Sequence, residues 1–269
     1  MNKIINELEN IYITLNNKEI VLNEIKELYK KNIKGKKCKE YKHHGSEGYF
    51  IEKCLNINPN SIIEADYKGY EIKKKSKNIT FGDWSSTAYL FKQDSFMKKV
   101  NNIPINISRI DFMKFFGNYN IEKKRYSWSG KCIQKYNIWN YNGTNIIIDK
   151  KYNIYIIYSY KKDKRNIFIP KLFKDKKYII LQYWDFNNIK NKIEKKYNKN
   201  GFIIFKKNKN NIYNKMLIGQ TINFEEFIKM FKENIIIFDS GMYEGNIRNY
   251  SHFRASSKIW GKLIIEEYQ

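Results

Sequence analysis

The stretch IIEADYKGYEIKKKSK, residues 62–77, places charged groups inside a run of strand-forming residues. Among them are the carboxylates of Asp66 and Glu71 and the ammonium group of Lys73. Burying such charges costs several kcal/mol each unless a partner compensates for them. A divalent metal ion is a partner of that kind, so this stretch indicates a candidate metal site.

The residues on either side of Lys68-Gly69 alternate in the manner of two strands joined by a tight turn. Residues two apart on a strand share a face, so Glu71 and Lys73 are expected to point the same way. The turn is expected to fold Asp66 back beside them. The alternative is a solvent-facing hairpin whose acids form ordinary pairs with neighbouring lysines.

Asp66, Glu71 and the backbone carbonyl of Ile72 would together offer oxygen ligands to one Mg²⁺, a hard ion that keeps several waters and accepts a phosphate oxygen. Lys73 would orient or deprotonate a water for attack on phosphorus, while the metal offsets the charge of the transition state. This order of residues is the D-x(n)-E-x-K arrangement of the restriction-endonuclease-like nuclease fold.

An E-x-K triplet is weak evidence by itself in a lysine-rich chain. Glu24-Ile25-Lys26 is the same triplet, and it falls within an amphipathic helix that we predict over residues 17–32. The second triplet is distinguished by the aspartate, the glycine turn and the strand pattern around it.

The longer run GSEGYFIEKCLNINPNSIIEADYKGYEIKKK, residues 45–75, resembles the catalytic segment of the MvaI/BcnI group of type II restriction enzymes, which are MutH-like members of the PD-(D/E)xK superfamily. On this resemblance Gly45 and Gly48 match the glycines at a helix start, Glu52 matches the helix glutamate, and Asp66, Glu71 and Lys73 match the catalytic core. Glu52 would then bind a second ion or hold Lys73. The alternative for Glu52 is a solvated surface residue.

The resemblance implies a site-specific deoxyribonuclease that uses Mg²⁺ and leaves 5′-phosphate ends. It implies an α/β (α+β) restriction-endonuclease-like fold, with a central mixed sheet flanked by helices and two lobes around a DNA-binding cleft. We expect one endonuclease domain over residues 1–269, with its catalytic core around 45–80 and a DNA-recognition segment around 238–260. A monomer is expected, although a dimer is left open.

The recognition segment FDSGMYEGNIRNYSHFRASSKIW, residues 238–260, is rich in groups that contact bases. Arginine matches guanine O6 and N7, and aspartate accepts from cytosine N4. The segment resembles the HGxxFR-type segment of the same group, although YSHFR departs from that pattern. The alternatives are phosphate contacts for the arginines and a hydrogen-bonded loop role for the histidine. The candidate DNA-binding residues are Asp239, Arg248, Asn249, His252 and Arg254.

The charge and the cysteine content agree with a nuclease. The formal net charge of +24 favours a polyanionic partner, here double-stranded DNA, although AT-rich codon usage also enriches lysine. The three cysteines lack CxxC spacing, which argues against a zinc cluster or a disulfide framework. No apolar run approaches the roughly 18 to 20 residues that cross a bilayer. We therefore expect an intracellular, cytoplasmic protein with no membrane partner.

Helices and strands are predicted to alternate along the chain. In the helix over 17–32, Ile20, Ile25 and Leu28 are expected to form the apolar face. A helix capped by Ser46 is expected to end before Pro59. Segments 146–160, 177–184 and 201–207 have strand composition, and 221–234 is predicted to form a helix.

Two other functions fit these patterns. A MutH-like repair endonuclease would nick one strand and depend on a mismatch-repair partner or on methylation state. A basic nucleic-acid-binding protein without catalysis would use the hairpin acids only to pair with lysines. The target sequence and the cut position are not encoded in any pattern that we recognise.

Overall fold

The computed structural model describes residues 2–37, 46–57, 64–92, 94–103 and 106–269, without the side chains of residues 2–11 and 46. Its α-helices are α1 (Asn2–Asn32), α2 (Ser46–Cys54), α3 (Ser95–Asn101), α4 (Arg109–Phe116), α5 (Lys171–Lys174), α6 (Phe186–Tyr197), α7 (Phe224–Lys232) and α8 (Ser257–Lys262). Its strands are β1 (Tyr70–Lys74), β2 (Asn78–Asp83), β3 (Ala88–Tyr89), β4 (Asn118–Asn120), β5 (Arg125–Trp128), β6 (Asn142–Ile148), β7 (Ile154–Asp163), β8 (Ile179–Trp184), β9 (Gly201–Lys207), β10 (Tyr213–Gly219), β11 (Ile237–Asp239), β12 (Met242–Tyr243), β13 (His252–Ser256) and β14 (Ile264–Tyr268). Among the helices described, none has the length and apolar character needed to span a membrane.

The chain divides into two compact units. The first unit comprises Met1–Ile79, Ile193–Asn223 and Ser257–Gln269. The second unit comprises Thr80–Lys192 and Phe224–Ser256. The predicted catalytic residues belong to the first unit, and the five predicted DNA-reading residues belong to the second.

The first unit is built on a four-stranded mixed sheet with strand order β1-β9-β10-β14. Strand β1 runs parallel to β9, with Glu71 opposite Phe202 and Lys73 opposite Ile204. The other two strand pairs are antiparallel. Within the described sheet β1 is an edge strand, so one side of its backbone is directed away from the ladder. The expectation of a central mixed sheet with flanking helices is confirmed.

Helix α1 packs on this sheet through a stripe of residues spaced four apart. Ile25, Tyr29 and Ile33 are fully buried and form a core cluster with side chains of α2, β9 and β10. The predicted helix is confirmed, but its expected apolar face is only partly right. Leu28 is partly buried against the cluster, whereas Ile20 is 57% exposed, because the buried stripe follows the spacing of Ile25 rather than that of Ile20.

Helix α2 is held to the same core by Ile51 and Leu55, as their spacing predicts. It ends where Asn56 adopts the left-handed conformation, with φ of 58°, and where the Ile57 N–H donates to the Glu52 carbonyl at 2.8 Å. The left-handed residue therefore ends the helix before Pro59 is reached. The proline itself, Gly45 and the capping geometry before Ser46 lie outside the described residues.

The second unit contains three small sheets, with strand orders β11-β13-β2, β12-β5-β4 and β3-β8-β7-β6. The strand-rich segment 146–160 forms most of the antiparallel pair β6 and β7. The predicted helix near residue 224 is α7, and four of its apolar residues are buried: Phe224, Phe227, Ile228 and Phe231.

Candidate active site

A two-residue turn brings the chain into β1. The Tyr67 N–H donates to the Tyr70 carbonyl at 3.0 Å, and the Tyr70 N–H donates to the Tyr67 carbonyl at 2.8 Å. Lys68 and Gly69 have φ values of 43° and 92°, and two positive φ values are the signature of a type I′ turn. The tight turn is confirmed at the predicted position.

The strand expected before this turn is replaced by a single bridge between Tyr67 and Tyr70. Residues 64–66 are not in a strand, and residues 61–63 lie outside the described part of the chain. The ladder partner of β1 is instead the distant strand β9. The hairpin prediction was therefore wrong about the pairing, because a parallel partner cannot be found from local alternation.

The turn returns Asp66 to the edge of β1. The Ile72 N–H donates to Asp66 Oδ2 at 2.9 Å. On the opposite side of the strand, the Gly69 carbonyl accepts from the Asn200 N–H at 3.1 Å. Because backbone groups alternate in direction along a strand, Glu71 has its backbone directed at β9 and Ile72 has its backbone directed away from it. The Ile72 carbonyl therefore lies on the same strand edge as the Asp66 carboxylate.

Glu71 is almost completely buried and has two cationic partners. Only 2% of the surface of this residue is exposed to solvent. Lys73 Nζ lies 2.7 Å from Glu71 Oε1, which confirms that the two side chains share a face. Lys196 Nζ donates to Glu71 Oε1 at 3.0 Å and to Oε2 at 2.8 Å. These two ammonium groups offset the cost of burying the carboxylate.

Lys196 was not predicted from the sequence. It lies near the end of α6, 125 positions after Glu71. The spacing of Ile189, Ile193 and Tyr197, all fully buried, is a readable signal for an amphipathic helix. That signal places Lys196 on a helix, but it does not show that the helix reaches Glu71.

The acids at this site influence one another. Burial, and after it the charge of Glu71, raise the pKa of the Asp66 carboxyl to about 6, although the charges of Lys196 and Lys73 lower it in part. Burial also raises the pKa of Glu52, with Glu71 adding to the effect and Lys196 opposing it. The structure thus places Glu52 and Asp66 close enough to Glu71 for its charge to affect both.

Tyr197 closes the inner side of this cluster. Its ring lies 5.7 Å from Lys73 Nζ. Burial raises the pKa of its hydroxyl well above the usual value, and the charges of Glu71 and Asp66 raise it further. Tyr197 is therefore a neutral wall of the site rather than a source of negative charge.

The donor set of the site suits a hard divalent cation. Asp66, Glu71 and the Ile72 carbonyl supply oxygen, which Mg²⁺ prefers, and the mutual repulsion of the two acids would be relieved by a cation. Within the described residues there is no group of three or more histidine, cysteine, aspartate or glutamate side chains arranged to hold a metal. The protein can thus contribute two carboxylates and a carbonyl, which fits an ion that keeps several waters.

The turn before β1 is tied to helix α1. Glu24 Oε1 accepts from the Tyr67 hydroxyl at 2.7 Å, and Glu24 Oε2 lies 2.7 Å from Lys68 Nζ. Lys26 pairs with Glu266 at 2.6 Å. The first E-x-K triplet is therefore on a helix, as predicted, and its acid and lysine have separate structural partners.

Three of the five predicted DNA-reading residues are assembled in the second unit. Arg254 Nη1 donates to Asp239 Oδ2 at 3.1 Å, and Arg254 Nη2 lies 2.9 Å from His252 Nδ1. Arginine only donates, so His252 Nδ1 accepts and the ring proton is on Nε2. Burial and the charge of Arg254 both lower the pKa of His252, which keeps the ring neutral. Asp239 is 9% exposed and faces Arg254.

The other two residues have partners outside that trio. The Arg248 side chain is 70% exposed, with its guanidinium 3.8 Å from Asp83. Asn249 Oδ1 accepts from Arg109 Nε at 2.8 Å. Asp83 Oδ1 accepts from the Ser251 N–H at 2.6 Å, so this acid holds backbone in place. Arg109, which the sequence did not indicate, is thus a partner of one of these residues.

Strand β1 carries an acid and a lysine two residues apart, and an aspartate just before its turn bonds to its backbone, in the D-x(n)-E-x-K order of the sequence. The sequence profile of the LlaMI restriction endonuclease family matches residues 29–268. The chain is 34% identical over 264 residues to the type II restriction enzyme ScrFI of Lactococcus lactis subsp. cremoris, covering 90% of this chain and 97% of that enzyme. The chain therefore belongs to the LlaMI restriction endonuclease family and is a site-specific DNA nuclease.

A solved structure supports the fold. The restriction endonuclease MvaI, in complex with its cognate DNA substrate, is similar to this chain with a TM-score of 0.59. The two chains are 17% identical, and the match covers 92% of this chain and 97% of MvaI. The predicted fold class and the resemblance to MvaI-type enzymes are confirmed.

Proposed function

We propose that this chain cuts double-stranded DNA at a specific sequence and that its first unit hydrolyses the phosphodiester bond at Glu52, Asp66, Glu71 and Lys73. The observation that carries the proposal is the edge of β1, where Asp66 meets the Ile72 backbone while Glu71 and Lys73 share a face. The family supports DNA cleavage as the activity.

Asp66, Glu71 and the Ile72 carbonyl are the proposed ligands of Mg²⁺. When bound, this ion would supply charge that stabilises the transition state and would lower the pKa of a coordinated water. Asp66 must be ionised to act as a ligand, and its raised pKa means that the carboxyl loses its proton near pH 6. Hydrolysis that breaks the bond from phosphorus to the 3′ oxygen leaves a 5′-phosphate and a 3′-hydroxyl.

Lys73 is proposed to orient the attacking water. Its ammonium group is held 2.7 Å from Glu71, and Tyr197 lies beneath it. Lys196 is proposed to offset the buried charge of Glu71 before a cation arrives, since it bonds both oxygens of that carboxylate. Glu52, whose pKa is raised in part by the charge of Glu71, would bind a second ion or hold Lys73 in place.

The second unit is proposed to read the DNA. Asp239 orients Arg254, whose second nitrogen contacts His252 Nδ1. This arrangement leaves the His252 Nε2–H as a donor toward a base or a phosphate. Arg248, with its exposed guanidinium, would contact DNA directly. Phosphate contact and guanine readout are both within the chemistry of these arginines.

Family membership favours a restriction enzyme over the two other functions that the sequence allowed. A MutH-like nicking enzyme would need a mismatch-repair partner, whereas a restriction enzyme cuts both strands of unmodified DNA unaided. A nucleic-acid-binding protein without catalysis would cut no DNA, so the loss of Asp66 would change no cleavage activity. The net charge of +24 supports tight contact with the DNA backbone. We further propose that the enzyme acts as a monomer.

Cleavage of plasmid DNA tests this function. The purified protein should linearise plasmid with Mg²⁺ and leave it intact with EDTA, and run-off sequencing of the product should return one sequence at every cut. Asp66→Ala should bind plasmid without cutting it. Glu27→Ala is the matched control, because it removes an acid from an exposed pair with Lys30 and should cut normally. Cutting by Asp66→Ala at the wild-type rate would refute the site.

A further inference from the structure

Arg109, the first residue of α4, directs its whole guanidinium group at one loop of the second unit. The bonds run from Nε to Asn249 Oδ1 (2.8 Å), from Nη1 to the carbonyls of Asn246 (2.7 Å) and Tyr243 (3.4 Å), and from Nη2 to Asn246 Oδ1 (2.8 Å) and the Arg248 carbonyl (3.0 Å). A guanidinium has five N–H donors. The five acceptors all belong to segment 243–249, which we call the reading loop.

Three residues of segment 83–89 bond to the chain at the end of the reading loop and just after it. Asp83 Oδ1 accepts from the Ser251 N–H at 2.6 Å, and the Trp84 N–H donates to the Ser251 carbonyl at 2.9 Å. The Tyr89 hydroxyl donates to the Asn249 carbonyl at 3.3 Å. The loop is therefore fixed along its length by Arg109 and at its end by these contacts.

Two side chains at the tip of the reading loop remain directed to solvent. Ile247 is 94% exposed, and the Arg248 side chain is 70% exposed. Gly245, with φ of 94°, gives the loop a backbone that other residues rarely adopt. The bonds from Arg109 favour one conformation of the reading loop in the free protein. A surface that is ordered before it binds loses less conformational entropy on binding.

We propose that Arg109 is a positioning residue that sets sequence specificity by holding the reading loop in its DNA-binding shape. This inference rests on the proposed function of the second unit as the reader of DNA. We call the five hydrogen bonds from Arg109 to the reading loop the clamp. Without the clamp, the loop would adjust to more than one base sequence, because Arg248 would no longer be held in one position before DNA binds. Discrimination, more than the chemical step, would then be lost.

The clamp also changes the task of Asn249. An asparagine that reads adenine needs its oxygen as an acceptor and its nitrogen as a donor. Asn249 Oδ1 is already bonded to Arg109. Asn249 therefore fastens the loop to Arg109, and Arg248, His252 and Arg254 are left as the base-reading candidates.

Lysine cannot replace Arg109 in this role. Its ammonium is a compact group with three donors on a flexible stem, whereas the planar guanidinium reaches acceptors on three sides. The helix start fixes the position of the arginine, because Ser108 caps α4 by accepting from the Asp111 N–H at 3.0 Å. Arg109→Lys thus keeps the charge and removes the clamp.

Selection from a DNA library tests the inference. Duplexes with a randomised core would be cut with Mg²⁺ by the wild type and by Arg109→Lys, and the cut fragments sequenced. Asn246→Ala attacks the same clamp from the loop side. Arg165→Lys is the matched control, because Arg165 also lies in the second unit and bonds backbone carbonyls, those of Phe115 and Gly117, away from the reading loop.

The wild type should enrich one motif. Arg109→Lys and Asn246→Ala should accept altered base pairs within it, with discrimination reduced about tenfold, the size of one lost base contact, while the rate on the preferred site at saturating DNA changes little. Arg165→Lys should melt earlier but keep the motif. If Arg109→Lys kept the wild-type motif, or if Arg165→Lys lost as much base discrimination as Arg109→Lys, the role of Arg109 would be overturned and the proposed function would stand. A wild type that enriches no sequence would overturn the proposed function as well.

Discussion

Replacing Lys196 by methionine tests whether the metal-free site depends on this lysine. Lys196 makes two short contacts to Glu71, a residue that is 2% exposed. Removing one partner of a buried ion pair costs about 3–5 kcal/mol. Lys73 continues to compensate Glu71, so we expect the lower end, about 3 kcal/mol. Methionine retains most of the aliphatic stem, and packing should change little.

In a protein of this size, about 3 kcal/mol lowers the Tm by about 6–12 °C. Thermal unfolding in EDTA measures this change directly. Lys195→Met is the matched control, because this neighbouring lysine on α6 is exposed and its loss changes the net charge equally. Its Tm should remain at the wild-type value.

Adding Mg²⁺ extends the same experiment. A cation at Asp66 and Glu71 would supply the charge that the variant lacks, and ligand binding stabilises the folded state according to its affinity. The Tm of Lys196→Met should therefore rise more with Mg²⁺ than that of the wild type. If Lys196→Met and Lys195→Met melt together in EDTA, Lys196 does not stabilise Glu71, and the proposed role of this lysine is wrong.

Three further predictions concern the chemistry of the site. Lys73→Ala should bind DNA in a mobility-shift assay but fail to cut it, whereas Lys26→Ala, from the helical E-x-K triplet, should do both; cutting by Lys73→Ala would contradict its assignment. The pKa of Asp66 is raised from 3.8 to about 6, so between these pH values the folded metal-free protein binds more protons than the unfolded chain. The free energy of unfolding should therefore fall by up to about 3 kcal/mol as the pH rises from about 4 to about 6. Chemical unfolding of wild type and Asp66→Asn in EDTA should show this slope in the wild type alone, and parallel curves would refute it. The cut ends should be rejoined by DNA ligase without kinase treatment, since they carry 5′-phosphates; a requirement for kinase would show the opposite polarity of cleavage.

Local patterns were sufficient to find the catalytic segment. The Lys68-Gly69 pair predicts a tight turn, and the structure has a type I′ turn there, with positive φ at both residues. Strand periodicity then puts Glu71 and Lys73 on one face, and the structure has them 2.7 Å apart. Each of these inferences depends on residues within a few positions of one another.

Long-range pairing was beyond the sequence patterns. The ladder partner of β1 begins at Gly201, and the second cation on Glu71 comes from Lys196. Nothing in the composition of either segment distinguishes it from other basic, apolar stretches of a lysine-rich chain. Arg109 was missed for the same reason, since its five acceptors lie more than 130 positions away.

The most direct measurement of the central claim is anomalous diffraction from crystals of the protein with DNA and Mn²⁺, an ion that takes the same oxygen ligands as Mg²⁺. The account predicts a peak bounded by the carboxylates of Asp66 and Glu71 and by the carbonyl of Ile72, with Lys196 displaced from Glu71. Full metal occupancy elsewhere, with Asp66 and Glu71 bonded only to protein groups, would contradict it.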